Sequence, residues 1–264
     1  MYARPSAPRP IGGVLDDAIS LYRHSFSSVW PLTLAAAIVM AIPGVFLGLQ
    51  LVQARAAGSL AVLAVMKTPV YWLTYAVIGL IYLAVHAALI SMLDSFATRG
   101  QAPLGEALGL GVGLIPKLFG ASLLVGLIVV IGFILLILPG IYWWGIYQLT
   151  FIVLIVERTG ITQSMGASRR LIRGYWWRSA TIITIAFIIL LVLSLIGGVA
   201  NGLVVGVFGF GTFAALLDQS VIGAALNVVL FPLLPCFLLS MYYDLKLRHE
   251  GGDLAARVAA LAAQ

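Results

Sequence analysis

Long apolar stretches alternate with short charged ones along this chain. Five stretches lack Asp, Glu, Lys and Arg altogether. They lie between Arg23 and Arg55, Lys67 and Asp94, Lys117 and Glu157, Arg178 and Asp218, and Asp218 and Asp244, and hold 31, 26, 39, 39 and 25 residues. A helix crosses the hydrocarbon of a bilayer in about 20 residues, so each stretch accommodates one crossing and the two longest have room for two. Pro139 and Gly140 divide residues 118–156, because proline stops a helix and glycine tolerates a turn. The second piece, residues 141–156, rises only about 24 Å against a core of roughly 30 Å, which predicts a hairpin that tilts, thins the bilayer or sits partly inside it. In the other long stretch, the helix expected from about Ala180 to Ala200 passes into "NGLVVGVFGFGTF", whose glycines favour an apolar connection.

Six crossings follow, at about 30–51, 69–93, 118–138, 141–156, 179–201 and 222–243. The runs are continuously apolar and lack the alternation of a barrel strand, so they are expected to be helices, giving an all-α membrane protein.

The segments before the odd-numbered crossings are too polar to cross yet are periodic. Ile11, Leu15, Ala18, Tyr22 and Phe26 are spaced as one helix face, as are Leu104, Leu108, Gly111, Ile115 and Phe119, and Ile161, Met165, Ser168, Ile172 and Trp176. Crossings 2, 4 and 6 run into "LDSFATRG", "VERTG" and "YYDLKLRHEG", each an acid, then a base, then glycine. The chain thus reads as a single integral membrane domain over 1–264. It contains three repeats of interfacial amphipathic helix plus helical hairpin, at about 11–100, 104–160 and 161–251. A short amphipathic tail, 252–264, spaces Leu254, Val258 and Leu261 on one face. The amphipathic helices are expected to lie in the headgroup plane, apolar stripe down, as a collar.

Charge adds an orientation. Of the 15 Lys and Arg, only Arg55 and Lys67 fall on the far side of the six crossings, which places both termini in the cytoplasm under the positive-inside rule. A hydrophobic share of 62%, a charged share of 9% and a mean hydropathy of +1.11 leave too few polar side chains to cover a soluble domain. Prolines followed by Asp16 and Asp17 stand where a cleavable signal would need an apolar core. The single cysteine, Cys236, excludes an internal disulfide.

Candidate chemistry is concentrated in "RRLIRGYWWRS". Arg169, Arg170, Arg173 and Arg178 with Tyr175, Trp176 and Trp177 form an expected contact for anionic headgroups or an anionic ligand, the arginines facing phosphates and the aromatics at the interfacial level. A voltage sensor would carry its arginines within a crossing, and nucleic-acid readout would need a soluble domain around them. Within the crossings, His86, Gln148 and Cys236 lie at similar distances before Asp94, Glu157 and Asp244, Tyr82 shares the face of His86, and Asn227 sits in the last crossing. Such groups bond between helices in membrane bundles or line a pathway. Pro232 and Pro235 are expected to kink that last crossing. Asp16 and Asp17 complement the positive end of the first helix or pair with the basic collar of the third unit. No HExxH, CxxC, GxSxG or P-loop motif is present, so neither a catalytic residue nor a metal or cofactor is expected.

"RPIGGVLDDAISLYRHSF", "LPGIYWWGIYQLTFIVLIVERTGITQSMGASRRLIRGYWWR" and "MYYDLKLRHEGGDL" together resemble a bacterial integral membrane family. That family is typified by the membrane domain of glycerophosphoryl diester phosphodiesterases. The resemblance implies a stand-alone six-helix membrane module without the catalytic barrel that follows it in multidomain relatives. The expected function is that of a non-enzymatic bacterial inner-membrane protein, a lipid-interacting or assembly scaffold module. Its partners would be anionic headgroups at the cytoplasmic face and a second protein or copy of the chain, with no nucleic acid. The alternative is a transporter or channel for small solutes, lipids or peptides, with a pathway between the repeats.

Overall fold

The computed structural model describes residues 2, 4–56, 64, 66–208 and 223–262. Within these, side chains are described except at 40, 42–56, 204, 205, 208, 250 and 252–262. The described residues are helical apart from short connections and the N-terminal segment before residue 11. The helices are α1 (Ile11–Ala56), α2 (Pro69–Arg99), α3 (Leu104–Leu135), α4 (Ile137–Tyr147), α5 (Thr150–Val156), α6 (Ile161–Ile172), α7 (Trp176–Phe208) and α8 (Leu233–Ala262). Five segments among the described residues are long and apolar enough to cross a membrane: Pro69–Arg99, Leu104–Leu135, Ile137–Val156, Trp176–Leu203 and Gly223–His249. The expected first crossing falls on the outer part of α1, where most side chains lie outside the described residues. The connection "NGLVVGVFGFGTF" is helical as far as residue 208, and its remainder is likewise outside them.

The helix boundaries have local causes. Pro139 cannot donate to the carbonyl of Leu135, and its ring would collide with that group if α3 continued. So α3 ends there, Leu136 turns extended at φ −165°, and Pro139 sits in the first turn of α4, where its missing N–H costs nothing. The α3–α4 hairpin closes on two glycines, since a Cβ on Gly132 would lie 2.9 Å from the Gly140 Cα. The turn at 231–232 interrupts the last crossing, as its prolines predict, and Pro235 falls in the first turn of α8.

Two expectations change here. The segments 11–29 and 104–119 are not separate interfacial helices but continue unbroken as parts of the long helices α1 and α3. Their buried faces are also rotated from the expected stripes. In α1 the buried line is Val14, Ala18, Leu21, Ser25, Val29 and Leu32, and it continues to Ala36. In α3 it is Ala107, Gly111, Leu118 and Ala121, while Leu104, Leu108 and Phe119 are exposed. The reason is close helix approach. A Cβ on Gly111 would stand 2.3 Å from the Ala84 carbonyl oxygen of α2, so only glycine fits at that point, while Leu118 further along the same line is buried and Leu104, Leu108 and Phe119 face outward. Of the three segments only 161–172 forms a separate short helix, because Gly174 (φ +86°) ends α6 and redirects the chain into α7.

Burial is concentrated at one end of the bundle. The core joins Val14 to Leu32 of α1, Val85 to Ala97 of α2, Leu118 of α3, Ile152 to Ile155 of α5, Ile172, Ile182 and Cys236 to Leu245 of α8. Beyond it, Leu127 to Leu138, Trp72 to Tyr82 and Ile188 to Leu203 include large apolar side chains that remain exposed. Helices α2, α3 and α7, at 31, 32 and 33 residues, rise about 46–50 Å and overshoot a hydrocarbon core of roughly 30 Å. This overshoot leaves room for polar groups at the packed end.

Candidate functional site: a tyrosine–aspartate hub and an arginine cleft

The last helix carries three consecutive side chains, Tyr242, Tyr243 and Asp244, where the apolar run ends. Successive helical residues point about 100° apart, so three together sweep most of the circumference, and all three are buried. Each engages a different part of the chain. The Tyr242 hydroxyl donates to Glu157 Oε1 at 2.7 Å, and Lys246 Nζ reaches the same oxygen at 2.9 Å. The Tyr243 hydroxyl donates to Asp94 Oδ1 at 2.6 Å, while the Arg4 guanidinium lies 4.2 Å from the centre of the Tyr243 ring. Glu157 and Asp94, far apart in the chain, are thereby both held by α8.

Asp244 is the most enclosed of these acids. Its side chain is 5% exposed and accepts from Arg178 Nε and Nη2 (3.1 and 2.9 Å), Arg248 Nε (2.9 Å) and the Arg9 backbone N–H (2.9 Å). The Arg9 carbonyl accepts from both guanidiniums in return. Residues 4–10 thus form a strap across this end of the bundle. Arg9 also pairs with Asp17 at 3.5 Å, so Asp17 meets the strap rather than the third-unit arginines. Tyr2 packs against the core behind the strap; burial, reinforced by the Asp17 charge, pushes its phenol up to about 12. Burial by itself would raise the Glu157 carboxyl. The Tyr242 hydroxyl, the Lys246 ammonium and the charge of Arg170 outweigh it and hold the group below the usual carboxylate range.

The arginine cluster is split by this arrangement. Arg178, expected at the headgroups, is 16% exposed and turned inward to Asp244. Arg169, Arg170 and Arg173 are exposed, and among the described residues none of them forms an ion pair. Trp177 is 80% exposed. Tyr175 is half-buried, with Arg248 5.6 Å from its ring centre and His249 edge-on to it. Trp176 packs so closely on α4 that a Cβ on Gly145 would stand 2.8 Å from its Nε1. That indole N–H is buried without an acceptor, an arrangement that costs about 1–3 kcal/mol. Between α4 and the α6–α7 turn lies a cleft of about 210 Å³ lined by Tyr142, Ile146, Arg169, Ile172, Arg173, Gly174 and Trp176. The Ser168 hydroxyl, donating to the Ile146 carbonyl at 2.6 Å, holds its two walls together.

The intramembrane candidates occupy separate surroundings. His86 stacks on Tyr82 (5.7 Å, 13°), and Phe231 stands edge-on to both. Gln148 lies at the break between α4 and α5. Its Oε1 and the His86 Nδ1 are buried with no hydrogen-bond partner, as are the hydroxyls of Thr150, Ser179 and Ser240. Cys236 is fully buried within the apolar core. Asn227 donates to the Gly223 carbonyl of its own helix at 2.8 Å, which satisfies its amide locally. Among the described residues, no group of three His, Cys, Asp or Glu is placed to hold a metal ion.

Sequence reasoning missed Tyr242, Tyr243, Asp244 and Arg9 as a connected group. The signal available was the "YYD" triplet itself, three polar-tipped residues in succession at the end of an apolar helix. No family model, curated protein or solved structure matches this chain.

Proposed function

We propose that this chain is a non-enzymatic bacterial inner-membrane module that binds anionic lipids at its cytoplasmic face and serves there as a lipid-interacting or assembly scaffold. In this reading it has six crossings in three repeated units, with both termini in the cytoplasm, as the thirteen-to-two distribution of Lys and Arg supports. The family resemblance of the two ends and the middle segment points the same way. The observation that carries the reading is the exposed set Arg169, Arg170 and Arg173, without an ion pair among the described residues, beside the exposed Trp177, on a protein whose long helices are apolar. Cations at this position attract anionic headgroups at about 1 kcal/mol each, and an interfacial tryptophan fixes depth.

The test is co-flotation or native mass spectrometry of the purified protein with phosphatidylglycerol and phosphatidylcholine. A preference for the anionic lipid that falls in R169Q/R170Q/R173Q is expected. Equal retention of both lipids by the wild-type protein would sink the proposal. Arg178 is excluded from the substitution because its loss would also break the Asp244 pair.

A transport reading has one observation in its favour, the unpartnered His86 Nδ1 and Gln148 Oε1 inside the bundle. It requires water-soluble thiol reagents to reach Cys236 and reconstituted protein to move a solute; failure of both removes it.

A further inference from the structure

The described grooves differ in their charge. One is lined by Asp16, Ile19, Ser20, Arg23 and His24, and a second by Glu106, Lys117 and Arg158 among apolar residues, so each has a carboxylate in its lining beside its cations. The cleft between α4 and the α6–α7 turn has Arg169 and Arg173, one helical turn apart, and no acid among the described residues of its lining. Its remaining walls are apolar or aromatic, with the rings of Tyr142 and Trp176 6.0 Å apart.

The surroundings are amphiphilic in one direction. The same two helices also carry Trp144 of α4 and Phe187 of α7, whose rings are 5.8 Å apart, with Ile188 and Leu191, all exposed and apolar. A ligand matching both parts carries an anionic oxygen cluster at one end and an aliphatic chain at the other. The volume lies below the roughly 300 Å³ at which pockets for drug-sized molecules begin, so the polar end is compact. Guanidiniums bind phosphate oxygens in a charge-assisted, bidentate manner.

We infer that this cleft is a discrete binding site for one anionic phospholipid of the adjoining leaflet, its phosphate between Arg169 and Arg173 and its acyl chain along Trp144 and Phe187. The site rests on the lipid-binding reading above, and it narrows that reading from a diffuse basic surface to a single cleft. Arg170, outside the cleft lining, contributes only general attraction.

The full chain in detergent, titrated calorimetrically with dioctanoyl phosphatidylglycerol, tests this. At about 1 kcal/mol per arginine, R169Q/R173Q binds about thirty-fold more weakly than wild type. K117Q/R158Q, altered in the groove that contains Glu106, stays within about three-fold on the same scale. Both arginines of the cleft are exposed and without an ion pair among the described residues, so the melting temperature of R169Q/R173Q is unchanged, which separates lost binding from lost fold. Wild-type affinity in R169Q/R173Q, or an equal loss in K117Q/R158Q, overturns the cleft while leaving general lipid binding intact. Inorganic phosphate binding as tightly as the lipid overturns the assignment to an amphiphile. Equal affinity of the wild type for dioctanoyl phosphatidylcholine removes the site and the broader reading together.

Discussion

Asp244→Asn replaces the most enclosed charge of the packed end by an amide of nearly the same shape. The carboxylate accepts from two guanidiniums that are themselves only 16% and 22% exposed, and from the Arg9 main chain. The amide keeps one oxygen but turns an NH2 toward donors and removes the negative charge, so Arg178 and Arg248 face each other across an uncompensated site. Removing one partner of a buried pair costs about 3–5 kcal/mol, most of it the desolvation of the charge left behind. For a chain of this size each kcal/mol lowers the melting temperature by about 2–4 °C, which puts the loss at about 6–20 °C. The assay is thermal unfolding in detergent, followed by far-UV circular dichroism and tryptophan fluorescence. D244N/R178Q should recover part of the loss, because it removes one of the stranded cations, and with R178Q and the wild type the four proteins form a double-mutant cycle. A D244N melting temperature within about 2 °C of wild type would refute the argument, since the pair would then behave as an exposed one.

Three further outcomes follow from the same geometry. Gly111→Val places a side chain where even a Cβ would meet the Ala84 carbonyl at 2.3 Å, so α2 and α3 must separate; a loss of about 1–3 kcal/mol or more is expected in chemical unfolding, against little effect for Gly109→Ala, which meets nothing. Glu157 has a folded pKa depressed below its ordinary value of 4.5, so the stability it contributes is complete above that value and is lost as pH falls through the lower folded one; melting curves between pH 7 and pH 3 should show a decline that E157Q flattens. Cys236, fully buried, should resist N-ethylmaleimide in native membranes from either side and react after denaturation; rapid native labelling would show that the core opens.

Several elements were legible in the chain because their causes are local. Continuous apolarity over more than 20 residues requires a buried or lipid-facing helix wherever it occurs. Pro139 stops α3 through its own ring, and Pro232 and Pro235 interrupt the last crossing in the same way. The buried face of α6, with Met165, Ser168 and Ile172, followed the spacing because that helix is short, amphipathic and ended by Gly174. The stripes of α1 and α3 were misread because large apolar residues mark the inside of a helix only where the outside is water. Against an apolar exterior size no longer marks the inside: Ala107, Gly111 and Ala121 face in beside Leu118, Gly111 because the α2 backbone comes close, while Leu104, Leu108 and Phe119 face out.

Charge content and its distribution along the chain fixed where polar groups could lie, since a helix that must leave the hydrocarbon carries its ions at the ends. Which ions meet was beyond the sequence. Asp244 finds Arg178 66 residues away and the Arg9 main chain 235 away, and Tyr243 finds Asp94 across 149. Nothing local distinguishes Arg178, turned inward, from Arg173, left outside; five residues of sequence separate them, and only the turn at Gly174 and the packing of α7 against α8 send their guanidiniums to different places. Tertiary structure therefore decided which arginines stabilise the bundle and which remain available to a ligand, because the pairing of charges depends on helix contacts that local spacing does not encode.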